Sequence, residues 1–82
     1  MVYTDNVHLV ADSLDELHSF AISIGLKRHF FEGVRKGHPH YDLTNKIILE
    51  KALIAGASIV SSREILKISH KLADLKGQKQ KR

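Results

Sequence analysis

The densest chemistry in this chain lies in five consecutive residues, His38-Pro39-His40-Tyr41-Asp42. Proline holds the residue before it out of the helical region. In the extended stretch that results, side chains at 38, 40 and 42 point the same way, which sets two imidazoles and a carboxylate on one side. Imidazole and carboxylate are ligands for divalent metals, and histidine titrates close enough to neutrality to give and take protons. Two chemistries fit: a divalent metal site, or acid–base work by His40 and His18 with Asp42 orienting one imidazole. A polar loop without a ligand is the bland alternative.

His18 qualifies through its place on a helix. Ser13-Leu14-Asp15-Glu16 forms a capping box that starts a helix at Leu14. At about 100° per residue, His18 then falls among Leu14, Ala21 and Ile22, on the apolar half. An inward imidazole there is either part of a site or a core histidine bonded to a neighbour. His8 stands beside Val7, Leu9 and Val10, a strand that reads as buried on both faces. Its donor and acceptor both need partners. A metal version of the site takes His8, His18, His40 and Asp42 as ligands. Asp12, Ser13, Tyr41, Thr44 and Lys46 complete a ligand-binding set. Within it, Asp12 anchors a metal or sugar hydroxyl, Tyr41 stacks on a base or fills the core, and Lys46 faces a bound anion or solvent. His29 and His70 acquire no role.

The elements that must position these residues follow from patterning. Val2 to Thr4 and Val7 to Ala11 are β-prone runs separated by Asp5-Asn6, and Gly25 suits the position just past a helix end. Lys27 to Phe31 reads as a third, aromatic strand, followed by a basic loop from Gly33 to Gly37. Thr44 or Asp42 caps a second helix with Ile48, Ala52 and Ala55 on its apolar side, closed by Gly56. Ala57 to Val60 is the last strand. Ser61-Ser62-Arg63-Glu64 is a second capping box, and Ile65, Ile68, Leu72 and Leu75 stripe a third helix. The alternation predicts an α/β fold: a small three- to four-stranded, mostly parallel sheet with three helices in the order β-β-α-β-α-β-α. A two-residue link makes the first strand an antiparallel partner of the second. Ligands bind beyond the carboxyl ends of parallel strands. That edge is expected to collect Asp12 and Ser13, the segment from Glu32 to Asp42, and Ser61 and Ser62, beneath three helix N-termini suited to phosphate.

Composition bounds the partners. At 82 residues there is room for one domain, over residues 1–75, with residues 76–82 as a basic flexible tail. No cysteine is present to make a disulfide, and no apolar run approaches the roughly 18 residues of a membrane helix. A core this small favours homo-oligomers. The start lacks the basic and apolar regions of a signal peptide, so a cytoplasmic location is expected. The net charge of +4 sits at one end: residues 63–82 carry seven Lys and Arg against two acids, while residues 1–62 carry six against seven. Nucleic acid held through the tail is thus a weaker expectation than a nucleotide or other phosphate-bearing ligand at the sheet edge.

His8-Leu9-Val10-Ala11-Asp12-Ser13, Glu16-Leu17-His18, Phe20-Ala21, Gly25, His40-Tyr41-Asp42-Leu43 and Gly56-Ala57 together resemble the short bacterial and phage family known as domain of unknown function 4031. The resemblance runs over roughly residues 1–65. It implies a shared polar set at Asp5, His8, Asp12, Glu16, His18, His40, Tyr41 and Asp42, and brings no established activity. Family members typically carry an extra loop where this chain has only Asp5 and Asn6, so a tight hairpin is expected to carry Asp5 to the edge opposite the crevice. The family pattern does not require His38, which stays only with the metal version. Two functions are carried forward: a hydrolase acting on phosphoesters, nucleotides or nucleic acid, and a non-catalytic module binding a nucleotide derivative or a protein.

Overall fold

Within its first eight residues the chain reverses direction. In a computed structural model that describes residues 1–80, and side chains for residues 1–74, β1 (Val2–Thr4) pairs antiparallel with β2 (His8–Ala11), Val2 opposite Ala11 and Thr4 opposite Leu9. Residues 81 and 82, and the side chains of the expected basic tail, lie outside the described set. The reversal uses Asn6 at φ 80°, a left-handed conformation that asparagine tolerates better than most residues. Asp5 Oδ1 closes it by accepting the Val7 and His8 amides at 3.0 and 2.7 Å.

α1 (Leu14–Ser23) starts where the capping box predicts, with Ser13 Oγ accepting the Glu16 amide at 3.2 Å. It ends at Gly25, whose φ of 97° lets the Leu26 amide return to the Ala21 carbonyl. The segment read as an aromatic strand differs. Arg28–Phe30 forms a single 3-10 turn, and β3 is only Phe31–Glu32. The polar segment read as a loop supplies β4 (His40–Asp42), which pairs antiparallel with both β3 and β2. α2 (Lys46–Ile54) is capped by Asn45, which accepts the Ile48 amide at 2.9 Å, rather than by Thr44 or Asp42. β5 (Ser58–Ile59) and α3 (Ser62–Gln80) follow, Ser61 Oγ accepting the Glu64 amide as expected.

The α/β class holds, but the sheet has five strands in the order β3-β4-β2-β1-β5, and β1 with β5 is its one parallel pair. The mostly parallel, three- to four-stranded sheet is corrected for a physical reason. Antiparallel neighbours can be joined by short turns, and the chain makes two such pairs: β1/β2, as the two-residue link predicts, and β3/β4, where the sequence suggests one strand followed by a loop. Strand directions follow: β1, β4 and β5 run one way, β2 the other. The ends of β1, β4 and β5 therefore share an edge with the start of β2. The end of β2, with Asp12, Ser13 and the α1 N-terminus, lies at the opposite edge.

Side chains alternate across the sheet. Leu9, Ala11 and Tyr41 share a core with Leu17 and Ala21 of α1 and Ala52 of α2, all fully buried. His8, Val10 and His40 fall on the other face, beneath the buried Ile65 and Ser69 of α3. Among the described residues no helix is long and apolar enough to cross a membrane.

Candidate metal centre

His8 stands opposite Asp42 in the β2/β4 register, and His40 precedes Asp42 by two residues. The two-residue pleat therefore puts all three side chains on one face. His40 Nε2 lies 3.3 Å and His8 Nε2 4.0 Å from Asp42 Oδ1. One ligand atom from each residue falls within 4.8 Å of the others. The imidazoles of His8 and His40 meet edge to face, centroids 5.2 Å apart.

Each imidazole is oriented from behind. His8 Nδ1 faces the Asp5 carboxylate at 3.1 Å, and His40 Nδ1 faces the His38 backbone carbonyl at 2.7 Å. A carboxylate and a carbonyl only accept, so in both rings Nδ1 carries a proton, and in the neutral form of each ring Nε2 keeps its lone pair. Both lone pairs are then on the side of the ring facing Asp42. This is the arrangement in which metal-binding histidines are held, with the second nitrogen donating to a carboxylate or a backbone carbonyl.

Asp5 is suited to that supporting role. Its side chain is only 4% exposed. Burial opposes ionisation, yet the hydrogen bonds from the His8 amide, the His8 ring, the Ser62 hydroxyl and the Val7 amide outweigh it and hold the carboxyl well below its usual range. A fixed negative charge thus sits behind His8. The tight hairpin carries Asp5 to the edge opposite Asp12 and Ser13, as expected, but that is the edge where the ligand groups converge. The hairpin leaves the end of β1 beside the start of β2, where the site is. The missed signal was local: an Asp three residues before a histidine, across a turn that its own carboxylate closes.

α3 braces both supports. Ser62 Oγ donates to Asp5 Oδ2 at 2.8 Å, and the buried Ser69 Oγ donates to the Pro39 carbonyl at 2.9 Å. Seven residues apart, the two serines share a helix face. Gly33, at φ 88°, lies against the His38–His40 segment so closely that a Cβ there would meet the His38 carbonyl oxygen at 2.2 Å.

The donor set fits a divalent transition metal. Two imidazole nitrogens and one carboxylate oxygen suit zinc, iron or a similar ion. Metal–ligand bonds of about 2.0–2.1 Å put tetrahedral ligand atoms roughly 3.3 Å apart. The His40–Asp42 separation already matches, while His8 Nε2 stands 4.0 Å from Asp42 Oδ1 and the three ligand atoms lie within 4.8 Å of one another, so the His8 ring must move inward to complete the set. His8 and Asp42 are 40% and 44% exposed, so water or a substrate can reach the remaining coordination positions.

Other expected members do not converge here. Tyr41 projects to the opposite face from its neighbours His40 and Asp42, and there its hydroxyl meets His18 Nδ1 at 2.7 Å. The His18 ring packs edge-on against Phe31, centroids 4.6 Å apart. A sheet therefore separates His18 from His8 and His40, and it drops out of both the ligand set and the acid–base pair. Tyr41 is fully buried and is not placed to stack on a base. Burial raises its phenol, only partly opposed by Arg28, so it is a neutral hydroxyl near neutrality. Asp12 is at the far edge, where it accepts the Tyr3 hydroxyl at 3.1 Å and pairs with the Met1 amine at 3.4 Å. Ser13 is a helix cap there. Thr44 and Lys46 are exposed beside the α2 N-terminus, beyond the edge that carries Asp42. Two helix N-termini, not three, share that edge. His38 stacks on His40 with centroids 5.3 Å apart, outside the set of three ligand groups.

Two clefts flank the centre, and His38 and His40 border both. One, of about 160 Å³, lies under α3 between His8 and Ile65 and Leu66. The other, of about 450 Å³, is bounded by the loop that carries Arg35 and Lys36.

No curated protein and no solved structure matches the chain. The model of one family, described as protein of unknown function (DUF4031), matches residues 3–72, a span that takes in the three ligand groups, Asp5, Gly33 and both bracing serines. The chain belongs to that family.

Proposed function

We propose that this chain is a divalent-metal-dependent hydrolase of phosphoesters, with the metal held by His8 Nε2, His40 Nε2 and the Asp42 carboxylate. The observation that carries this reading is the convergence of two imidazoles, each with its Nδ1 proton committed to an acceptor behind it, on one partly exposed carboxylate. A structural zinc site would be closed by four protein ligands, whereas three with open positions is the pattern of a catalytic one. Bound there, a metal lowers the pKa of its water toward neutrality and so supplies hydroxide.

The choice of phosphoester rests on charge beside the centre. Arg35 and Lys36, against one acid, Glu32, border the larger cleft together with His40, while the N-termini of α2 and α3 lie at the other end of β4, along the edge that carries Asp42. In the net reaction the oxygen of water bonds to phosphorus. The ester P–O bond breaks with its electron pair on the departing oxygen, which takes up the proton that water released. From a monoester the products are an alcohol and inorganic phosphate. His8 and His40 would hold the metal through Nε2, and Asp5 remains ionised behind His8.

Metal analysis of untagged protein, followed by a colorimetric phosphate-release assay on phosphomonoesters with the metal loaded and removed, tests the reading. One metal per chain, lost in His40→Ala, and phosphate release only when loaded are the expected results. Protein that binds no zinc, manganese or iron above micromolar affinity overturns it. Stoichiometric metal without turnover of any ester would favour the binding-module alternative.

A further inference from the structure

The smaller cleft says what kind of ester would fit. We infer that it is a subsite for an apolar leaving group about the size of one six-membered ring, seated between the imidazoles of His8 and His40 and the side chains of Ile65 and Leu66. This inference rests on the hydrolase reading and gives it a substrate class: monophosphate esters of small aromatic or compact aliphatic alcohols.

Three features carry it. The first is polar satisfaction. Ser62 and Ser69 border the cleft, but their hydroxyl protons are already committed to Asp5 and to the Pro39 carbonyl. The Nδ1 protons of His8 and His40 are likewise spent on Asp5 and on the His38 carbonyl, and the third imidazole of the lining, His38, stacks on His40 with its Nδ1 3.4 Å from His40 Nδ1. Among the described residues no buried side-chain nitrogen or oxygen lacks a partner. A polar group entering the cleft would lose water and gain little, whereas an apolar one gains by burial. Size is the second feature. The cleft, open to solvent on one side, offers about 160 Å³, the same order as the roughly 150 Å³ of an enclosed apolar cavity that takes up benzene. Placement is the third. His40 borders this cleft and also the one beside Arg35 and Lys36, so a phosphate held by the cations and a ring under α3 would leave the P–O bond between them beside the ligand groups.

The test compares phenyl phosphate with 1-naphthyl phosphate on the metal-loaded chain. Their leaving groups have similar acidity but differ by one fused ring, so the ratio of kcat/KM reports room in the cleft. Wild type is expected to favour phenyl by roughly tenfold or more. Leu66→Ala, at a half-exposed helix position where truncation spares the fold, should bring the ratio near one by opening the cleft. Phenylphosphonate, which cannot be hydrolysed at an ester bond, is titrated in parallel by ligand-observed NMR against wild type and Leu66→Trp. Binding to wild type that falls at least tenfold in Leu66→Trp upholds the subsite even if no ester turns over, in which case the hydrolase reading fails alone. Turnover with equal ratios in wild type and Leu66→Ala overturns the subsite and leaves the hydrolase standing. Absence of both selective turnover and Leu66-sensitive binding overturns the inference.

Discussion

A Cβ on Gly33 would stand 2.9 Å from His40 Nδ1 and closer still to the His38 carbonyl that receives its proton. Neither neighbour can give way freely: the carbonyl is backbone, and the ring is oriented toward Asp42. Gly33 also sits at φ 88°, where any other residue is strained. Gly33→Ala is therefore expected to cost about 1–3 kcal/mol of stability. By turning His40 it should also weaken zinc binding by about tenfold or more. Denaturant unfolding of metal-free protein and a chelator competition assay check the two effects separately. Unchanged zinc affinity in a destabilised variant would detach Gly33 from the site.

Asp5→Asn tests the charge behind His8. The amide can still accept from the backbone, but the carboxylate that steadies the Nδ1 proton is gone. Zinc affinity should fall about 10- to 100-fold. Stability of the metal-free protein carries a second signature. Because folding lowers the Asp5 pKa, its ionised form favours the native state. That contribution is complete above the unfolded value of about 4 and shrinks as the pH drops through it toward the folded value. Unfolding free energies measured from pH 6 to pH 2.5 should show wild type and Asp5→Asn converging as acid is added. Curves that stay parallel across that range would contradict the shift.

His18→Ala and His40→Ala separate the two faces of the sheet. His40→Ala removes one of the three proposed ligands and should abolish stoichiometric zinc binding. His18→Ala removes the partner of a buried tyrosine hydroxyl and a ring packed on Phe31. It should cost about 2–3 kcal/mol while zinc affinity stays within about twofold. Thermal melts and isothermal titration distinguish these outcomes. Comparable losses of zinc affinity in both variants would mean that His18 reaches the centre after all.

Much of the site was legible from spacing, but which side chains share a face depended on pairing partners far apart in sequence. His40 and Asp42 were matched correctly because a period of two in an extended segment needs only local information. The same period places Tyr41 on the other face, and Tyr41 is where His18 went. The inward direction of His18, read from helical periodicity, was right; only its partner was misjudged. The error in the sheet arose at Lys27 to Phe31, whose aromatic, β-prone composition describes a 3-10 turn leading into two strand residues. His40-Tyr41-Asp42, too polar to read as a strand, forms one because its polar residues face the site and its tyrosine faces the core. Once β4 returns beside β2 without a crossover, the ligand groups gather at the edge of Asp5 and not at that of Asp12 and Ser13, which no count along the chain foretells.

The two serines of α3 make the last prediction. Ser62 and Ser69 brace the supports of His8 and His40 respectively, but from different surroundings: Ser62 is exposed at the helix start and Ser69 is 1% exposed. Removing the Ser69 hydroxyl leaves the Pro39 carbonyl without that donor where water is scarce, at a cost of about 1–2 kcal/mol. Removing the Ser62 hydroxyl leaves Asp5 with its two backbone amides and the His8 ring, and water can replace the lost donor, so the cost should stay below about 1 kcal/mol. Zinc affinity should fall in both, since each ring loses part of what fixes its direction, and the double variant should lose about the sum of the single effects in free energy, because the two serines act through different histidines. Urea unfolding and zinc competition on Ser62→Ala, Ser69→Ala and the pair measure this. A larger stability loss at Ser62 than at Ser69, or no change in zinc affinity in either, would remove α3 from the support of the metal centre.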